Sequence, residues 1–406
     1  MSFDALLAPV REWLVEQALG NGDIVKLFET TCLRLNSVGI PITRARLFWP
    51  TLHPLFTGET VLWEQGAEAR LEQFEHRDNL SDQWMKSPLK FMVDHKVDTF
   101  RRRLSGPDAN ADFELLEDLQ KEGFTDYLLL GTTLGGTAFR VHEDGNSRGV
   151  LATFATKAEK GFTEDHILAL QKTQRRLAVA CKSGIQSRIT DNITTTYLGE
   201  RAGKYVLEGQ IRRGDGKRTR AVVWYSDMRN STRLAETMEP EAYFDMLNAF
   251  FSATAAPVVQ HGGEILDFIG DAVLAIFPFE SDEELKNAAL AANHAVADAN
   301  SISVSVNRLR EAEGLQRFGY GIALNKGEVM FGNIGIPSRL SFSVISPTVN
   351  EAARIENKTK ELGHSVLADA SFARLIPEFW ESLGQHQLDG VGHKTELFSW
   401  KNGQTG

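Results

Sequence analysis

Two carboxylates in the second half of the sequence stand where they could bind divalent cations together. Asp227 follows the apolar run AVVWYS and precedes a short polar segment that leads into a helical pattern. A carboxylate at such a strand end can hold a metal while N–H groups of the loop bind phosphate oxygens. Asp271 lies within GGEILDFIGDAVLAIF, where Gly270-Asp271 predicts a two-residue hairpin turn. If the strands are neighbours, the carboxylates converge and can share two Mg²⁺ ions about 3.5–4 Å apart.

A polar pair further along the chain adds to this chemistry. The segment LSFSVISPTVNEAARIE predicts a strand followed by a helix, and the segment RFGYGIALNKGEVMFGNIG before it predicts two β-runs around a turn. Asn350 and Arg354 are four residues apart on the predicted helix, so their side chains point the same way. Each of the four residues alone is more commonly a turn, cap or surface residue. Their order and flanking patterns together indicate a specific site.

These segments resemble the catalytic domain of the class III nucleotide cyclases, the adenylate and guanylate cyclase family. The resemblance runs from about Tyr205 to Trp400 and includes five ordered motifs. It implies a ferredoxin-like α+β domain that works as a head-to-tail homodimer with its active sites in the interface. It also implies a reaction, in which the ribose 3′-hydroxyl of a nucleoside triphosphate attacks its own α-phosphorus and releases pyrophosphate.

The resemblance assigns roles to individual residues. Asp227 and Asp271, with Met228, match the metal-binding positions, and two Mg²⁺ or Mn²⁺ ions are expected in each site. Asn350 matches the residue that orients the ribose, and Arg354 the residue that stabilises charge on the transition-state phosphate. The aspartates would come from one chain and the Asn350–Arg354 pair from the other, so a monomer should be inactive. The residues expected to meet the substrate phosphates are Asn230, Ser231 and Thr232, with Asn230-Ser231 standing where the family often has Gly-Phe.

The positions that read the base depart from the adenylate cyclase pattern. Adenylate cyclases commonly have a Lys four residues before the second aspartate, with an Asp or Thr near the strand before the Asn helix; here these positions are Asp267 and Ser343. Guanine offers donors at N1 and N2 that a carboxylate can accept, whereas adenine offers an acceptor at N1. Asp267 can also accept from the adenine amino group. Chemistry therefore favours GTP, while the prevalence of ATP among bacterial cyclases of this layout favours ATP.

Three functions follow from these observations. The leading one is an adenylate cyclase, with a guanylate cyclase as its close alternative. The third is a catalytically weak cyclase that binds nucleotide as a regulatory module, but retention of all four site residues argues against it. A further departure is Asp389, which precedes Gly390 where many members place a basic residue for the terminal phosphates, and which is otherwise typical of a turn.

The first half of the chain predicts a different module. Two amphipathic helices up to about Val38 are followed by short β-runs, namely ARLFW, TVLWE, YLLLGTT, GTAFRV and GVLATFA, and a helix is predicted from Thr163 onward. This layout resembles a GAF-type sensory domain with an α/β fold, whose ligand the sequence does not identify; Trp49 and Trp63 are expected in its core. The predicted organisation is a GAF-like domain at 1–185, a helical connector at 186–215 and a cyclase domain at 216–402.

Composition limits the classes of protein and partner. The 406 residues are 42% hydrophobic and 24% charged, with a net charge of −10, which disfavours binding to nucleic acid or to an anionic membrane. A small charged substrate held through metal ions remains compatible with this charge. Cys32 and Cys181 are too few and too far apart for a disulfide framework, and the sequence shows neither a signal peptide nor a membrane span. We therefore expect a cytoplasmic protein with two reduced thiols.

Overall fold

The computed structural model describes residues 3–20, 22–76, 82–134 and 149–401. The chain divides into two compact units, Met1–Thr196 and Tyr197–Gly406. No helix in the described ranges is both long enough and apolar enough to cross a membrane.

The first unit contains one antiparallel sheet of six strands in the order β3-β2-β1-β6-β5-β4. Four of the five predicted β-runs form strands, and the fifth, GTAFRV, lies outside the described residues. Trp49 and Trp63 are fully buried in the core, as predicted. The elements are α1 (Phe3–Gln17), α2 (Ile24–Ser37), β1 (Arg44–Pro50), β2 (Phe56–Glu64), β3 (Arg70–Glu75), α3 (Asp82–Met85), α4 (Pro88–His95), β4 (Thr99–Arg103), α5 (Glu114–Lys121), β5 (Asp126–Thr133), β6 (Gly149–Thr156) and α6 (Glu164–Leu198).

The helix predicted from Thr163 is α6. The Thr163 hydroxyl caps its first turn by accepting a hydrogen bond from the backbone N–H of His166 at 3.2 Å. One face, including Leu170, Leu177 and Cys181, is buried against the sheet. Both cysteines of the chain are buried and unpaired, which confirms the prediction of structural thiols. Since α6 extends to Leu198, the segment predicted as a connector begins as a continuation of this helix.

The second unit is built on a sheet in the order β13-β14-β12-β10-β7-β9-β8, with β11 added alongside β10. Among the strand pairs of the described residues, β10–β12 is the one parallel pair, and helices pack against the sheet, in keeping with the predicted α+β class. Its elements are α7 (Glu200–Leu207), β7 (Gly216–Arg229), α8 (Ser231–Thr237), α9 (Pro240–Thr254), α10 (Ala256–Gln260), β8 (Glu264–Ile269), β9 (Ala272–Phe279), α11 (Asp282–Ala312), β10 (Gly319–Ile336), β11 (Arg339–Ile345), α12 (Pro347–Leu362), β12 (Val366–Asp369), α13 (Ala370–Ala373), a 3₁₀ turn (Pro377–Phe379), β13 (Trp380–Gln387) and β14 (Lys394–Trp400).

The central strand β7 is apolar on both faces, which explains its unbroken hydrophobic run. Val222 and Trp224 pack into the core formed with α9 and α11. Ala221 and Val223 point to the opposite face, where they pack against α12. Burial on both faces places β7 in the middle of the sheet, with β9 on one side and β10 on the other.

One strand prediction is wrong. Residues 319–336 form the single strand β10 and not two runs around a turn. The polar segment that suggested a turn is held in the sheet by α12, because Asn325 donates a side-chain hydrogen bond to the carbonyl of Thr348 at 2.9 Å. At Gly327 a Cβ atom would collide with the Thr348 side chain, so glycine here permits close packing of the helix.

Candidate active site

The structure brings Asp227 and Asp271 to the same end of the sheet. Asp227 lies near the end of β7 and pairs in register with Ala272 on β9. Asp271 stands next to Ala272 in the two-residue turn between β8 and β9, which Gly270 permits with a φ of 67°. The backbone N–H of Met228 donates to the carbonyl oxygen of Asp271 at 3.3 Å and ties the turn to β7. The predicted hairpin turn is therefore confirmed.

Electrostatics at this end of the sheet favour a bound cation. Burial raises the pKa of Asp227 to about 7, and the negative charges of Asp271 and Glu356 act in the same direction. Across the described ranges, no cluster of three or more His, Cys, Asp or Glu side chains has the geometry of a metal site. The pair still fits Mg²⁺, which proteins usually hold through one or two carboxylates while substrate phosphates and water complete the shell.

The raised pKa of Asp227 predicts how its removal changes stability with pH. The ordinary pKa of an aspartic acid side chain is 3.8. Between about pH 3.8 and pH 7, Asp227 therefore binds a proton in the folded chain that it lacks in the unfolded chain. Stability from this group is therefore fully present below about pH 3.8 and is lost progressively as the pH rises from there through about 7. We expect Asp227→Asn to raise the thermal unfolding midpoint of the metal-free protein at pH 8 by a few degrees, and to raise it clearly less at pH 5. Calorimetry at both pH values measures this, and an equal shift at both would contradict it.

The segment after Asp227 holds the residues expected to meet phosphates. Met228 still belongs to β7, and its side chain is buried in the core, so only its backbone can face a metal. Asn230 adopts a left-handed conformation with φ 61°, which Asn tolerates better than most residues and which suits a position where the family often has Gly. Ser231 and Thr232 then begin α8. Their roles toward phosphate remain predictions.

The predicted helix that carries Asn350 and Arg354 is α12. Ser346 caps it by accepting a hydrogen bond from the backbone N–H of Thr348 at 3.0 Å, and Pro347 opens its first turn. The helix buries Val349, Ala352 and Ile355 against the sheet, whereas Asn350 and Arg354 are exposed. In the described part of the chain, neither side chain forms a hydrogen bond or ion pair with Asp227 or Asp271.

The candidate base-reading residues lie on neighbouring strands. Asp267 is exposed on β8, next to a register shift between Ile265 and Asp267. Ser343 is half-buried on β11 opposite Gly332, and β11 contacts β8. Asp389 is exposed in the turn between β13 and β14, which matches its interpretation as a turn residue.

Glu356 is a buried acid near the two aspartates that the sequence patterns above did not predict. This acid lies on the buried face of α12 and is only 7% exposed. Burial raises its pKa, and the negative charge of Asp271 adds to that rise, while Thr359 and Arg229 oppose it. The signal was present in the helical pattern, because Glu356 falls on the apolar stripe with Val349, Ala352 and Thr359.

Comparison with known proteins places this unit in a family. Residues 216–371 match the family model described as the adenylate and guanylate cyclase catalytic domain. The adenylate cyclase of Anabaena cylindrica is 32% identical over 162 residues, which cover 40% of this chain and 32% of that protein. Adenylate cyclase 2 of Rhizobium meliloti is 30% identical over 191 residues, covering 44% of this chain and 49% of that protein.

Among solved structures, the adenylyl cyclase CyaB from P. aeruginosa matches with 25% identity and a TM-score of 0.41, covering 46% of this chain and 95% of that one. The chain spans a third to a half of the length of the two curated relatives. Since the segment that matches the family contains both aspartates and the helix with Asn350 and Arg354, the chain carries a class III nucleotide cyclase catalytic domain.

Proposed function

We propose that this protein is an adenylate cyclase that converts ATP to 3′,5′-cyclic AMP and pyrophosphate in signal transduction. The observation that carries the proposal is the convergence of Asp227 and Asp271 at one strand end within the matched domain. Curated relatives that match this segment are named adenylate cyclases, which supports ATP as the substrate.

The chemistry is an in-line phosphoryl transfer within one molecule. A bond forms between the ribose 3′-oxygen and the α-phosphorus, the bond to pyrophosphate breaks, and the 3′-hydroxyl loses its proton. Asp227 and Asp271 would hold two Mg²⁺ or Mn²⁺ ions, which when bound lower the pKa of the 3′-hydroxyl and neutralise the triphosphate. Thr232 and the backbone at Asn230 and Ser231 would fix the phosphates, so that attacking and leaving oxygens are aligned.

The exposed face of α12 supplies the remaining groups. Asn350 would orient the ribose, and Arg354 would stabilise the charge that develops on the α-phosphate, a task suited to a planar and permanently charged guanidinium. Both side chains point away from their own sheet, which supports a homodimer in which they complete the site of the other subunit. Exposed apolar side chains on β10 and β11 fit such an interface; these are Ile334, Ile336, Leu340 and Ile345.

A guanylate cyclase is the second candidate, and Asp267 is the observation that favours it. Its carboxylate is exposed on β8, where it can accept hydrogen bonds from the N1 and N2 donors of guanine. Ser343 can bond either base, because a hydroxyl both donates and accepts.

Assay of the purified full chain with Mn²⁺ and each of ATP, GTP, CTP and UTP tests the proposal. We expect cyclic AMP as the main product, resolved and quantified by liquid chromatography. Cyclic GMP as the main product would establish the guanylate cyclase instead. No cyclic product from any of the four would overturn the enzyme assignment in favour of a nucleotide-binding regulatory module.

Substitution at the base-reading position predicts a change in specificity. Asp267→Lys replaces a hydrogen-bond acceptor with a donor. The new donor can hydrogen-bond to adenine N1, which is an acceptor, but not to guanine N1 and N2, which are donors. We expect the ratio of kcat/KM for ATP over GTP to rise about tenfold or more, since a mismatched hydrogen-bonding group costs at least that factor. Steady-state kinetics with both substrates measure the ratio, with Asp267→Asn as an intermediate control. An unchanged ratio would show that the base is read elsewhere.

The first unit is proposed to be a GAF-like sensory domain that regulates the cyclase through α6. In support, it contains a cavity of about 670 Å³ on one face of its sheet, within the usual range for small-molecule sites. The cavity is lined by aromatic residues such as Phe48, Trp84 and Tyr127, together with Arg46.

A further inference from the structure

Glu356 occupies a side-chain position that β10 leaves empty beside Asp227. Gly321 on β10 is the register partner of Asp227, and partners in an antiparallel pair direct their side chains to the same face. A Cβ atom at Gly321 would collide with the Glu356 carboxylate and lie 2.6 Å from the Thr359 hydroxyl oxygen. The Glu356 carboxylate therefore stands where the cross-strand neighbour of Asp227 would be. In such a cross-strand pair the two Cβ atoms are about 4.5–5.5 Å apart.

Burial at this position is energetically unfavourable for the Glu356 carboxylate. Glu356 is 7% exposed, and its hydrogen bond within the described residues is a long one of 3.3 Å from the Thr359 hydroxyl. Arg229, two residues beyond Asp227 on the same face of β7, contributes opposite charge, but its Nη2 donates to the carbonyl of His364 at 2.7 Å. A buried acid with so few hydrogen bonds destabilises a fold, so its presence beside Asp227 points to a function that needs the charge.

We propose that Glu356 is a positioning residue that increases the affinity of the Asp227–Asp271 pair for divalent cations. This inference rests on the metal site of the proposed function. Glu356 lies behind Asp227 at the place of a cross-strand neighbour, so it acts on the cation through the electrostatic field and through the orientation of the Asp227 side chain. Residues that surround metal ligands commonly change metal affinity by about 10- to 100-fold.

The opposing explanation is a packing role, in which Glu356 only fills the space above Gly321. The two roles differ in how they rank substitutions. Glu356→Gln keeps the shape and removes the charge, whereas Glu356→Asp keeps the charge and shortens the side chain by one methylene. An electrostatic role requires the Gln variant to lose more metal affinity than the Asp variant, and a packing role requires the reverse.

Electron paramagnetic resonance of free Mn²⁺, titrated with the full chain in the absence of nucleotide, tests the inference without an activity assay. We expect the Mn²⁺ dissociation constant to rise about tenfold or more in Glu356→Gln and only slightly in Glu356→Asp. Glu361→Gln is the matched control, because Glu361 is exposed on the same helix in an ion pair with Lys358 and should leave the constant unchanged.

The outcomes separate this inference from the proposed function. Equal dissociation constants for wild type and Glu356→Gln, with Asp227→Asn clearly weakened, would overturn the role of Glu356 alone. A larger loss of Mn²⁺ affinity in Glu356→Asp than in Glu356→Gln would show that Glu356 has a packing role. If the Gln variant fails to fold, the Asp variant alone decides. A Mn²⁺ affinity of Glu356→Asp near that of the wild type would support the electrostatic role of Glu356, and a tenfold loss of affinity in this variant would overturn it. Absence of Mn²⁺ binding in the wild type would overturn the metal site itself.

Discussion

Substitution of Asp271 by alanine should reduce cyclase turnover by about 1000-fold or more, without loss of the fold. Asp271 stands in a two-residue turn that leaves its carboxylate half exposed, so little packing is lost with it. Its removal leaves Asp227 as the one aspartate able to hold the cations that the transferring phosphate requires, and loss of a single stabilising group in such a site already costs about 100- to 1000-fold. Cyclic nucleotide formation measured at saturating Mn²⁺ and ATP gives the effect.

The matched control is Glu311→Ala, which removes an exposed acid from α11. We expect its turnover to equal that of the wild type, and circular dichroism should be the same for both variants. Turnover of Asp271→Ala within tenfold of wild type would show that the aspartate pair does not carry the chemistry.

Two inactive variants should regain activity when they are mixed. In a head-to-tail dimer, Asp227→Ala destroys one contribution to the site and Arg354→Ala destroys the other. A mixed dimer has one site with both lesions and one site with none. At equal concentrations half of the dimers are mixed, so we expect about a quarter of the wild-type activity, whereas each variant alone should be nearly inactive. Activity of the mixture, after incubation long enough for subunits to exchange, is the measurement.

A second mixture controls for recovery by any other route. Asp227→Ala combined with Asp271→Ala should stay inactive, because both lesions fall on the same half of the site and neither site of a mixed dimer is intact. Recovery in this control, or none in the first mixture, would contradict a site shared between subunits. The exposure of Asn350 and Arg354 on α12 is the structural reason to expect sharing.

Sequence alone predicted the parts of the site that depend on local chemistry. The apolar run before Asp227, the Gly270-Asp271 turn and the Ser346-Pro347 start of α12 are each specified by neighbouring residues. It failed where distant contacts decide the structure. The polar segment in β10 stays extended because α12 packs on it through Asn325 and Gly327.

Glu356 escaped detection for the same reason. Its place beside Asp227 depends on three elements meeting at Gly321, and a single sequence does not show that a glycine on one strand makes room for an acid from a helix. Met228 was expected at the metal site, and the alternation of β7 turns its side chain to the core, so its backbone is the part that can face a metal.

The length and pairing of β7 limit how a regulatory signal could reach Asp227. β10 pairs with all 14 residues of the strand from Gly216 to Arg229, and β9 pairs with Arg220–Asp227 on the other side. Sliding by one residue would invert every side chain, placing Asp227 among the apolar residues of the opposite face. β7 therefore has a fixed register, and a displacement at its Gly216 end cannot move Asp227 by small steps along the neighbouring strands. We therefore expect regulation to act on the domain as a whole, by rotating one subunit of the proposed dimer against the other.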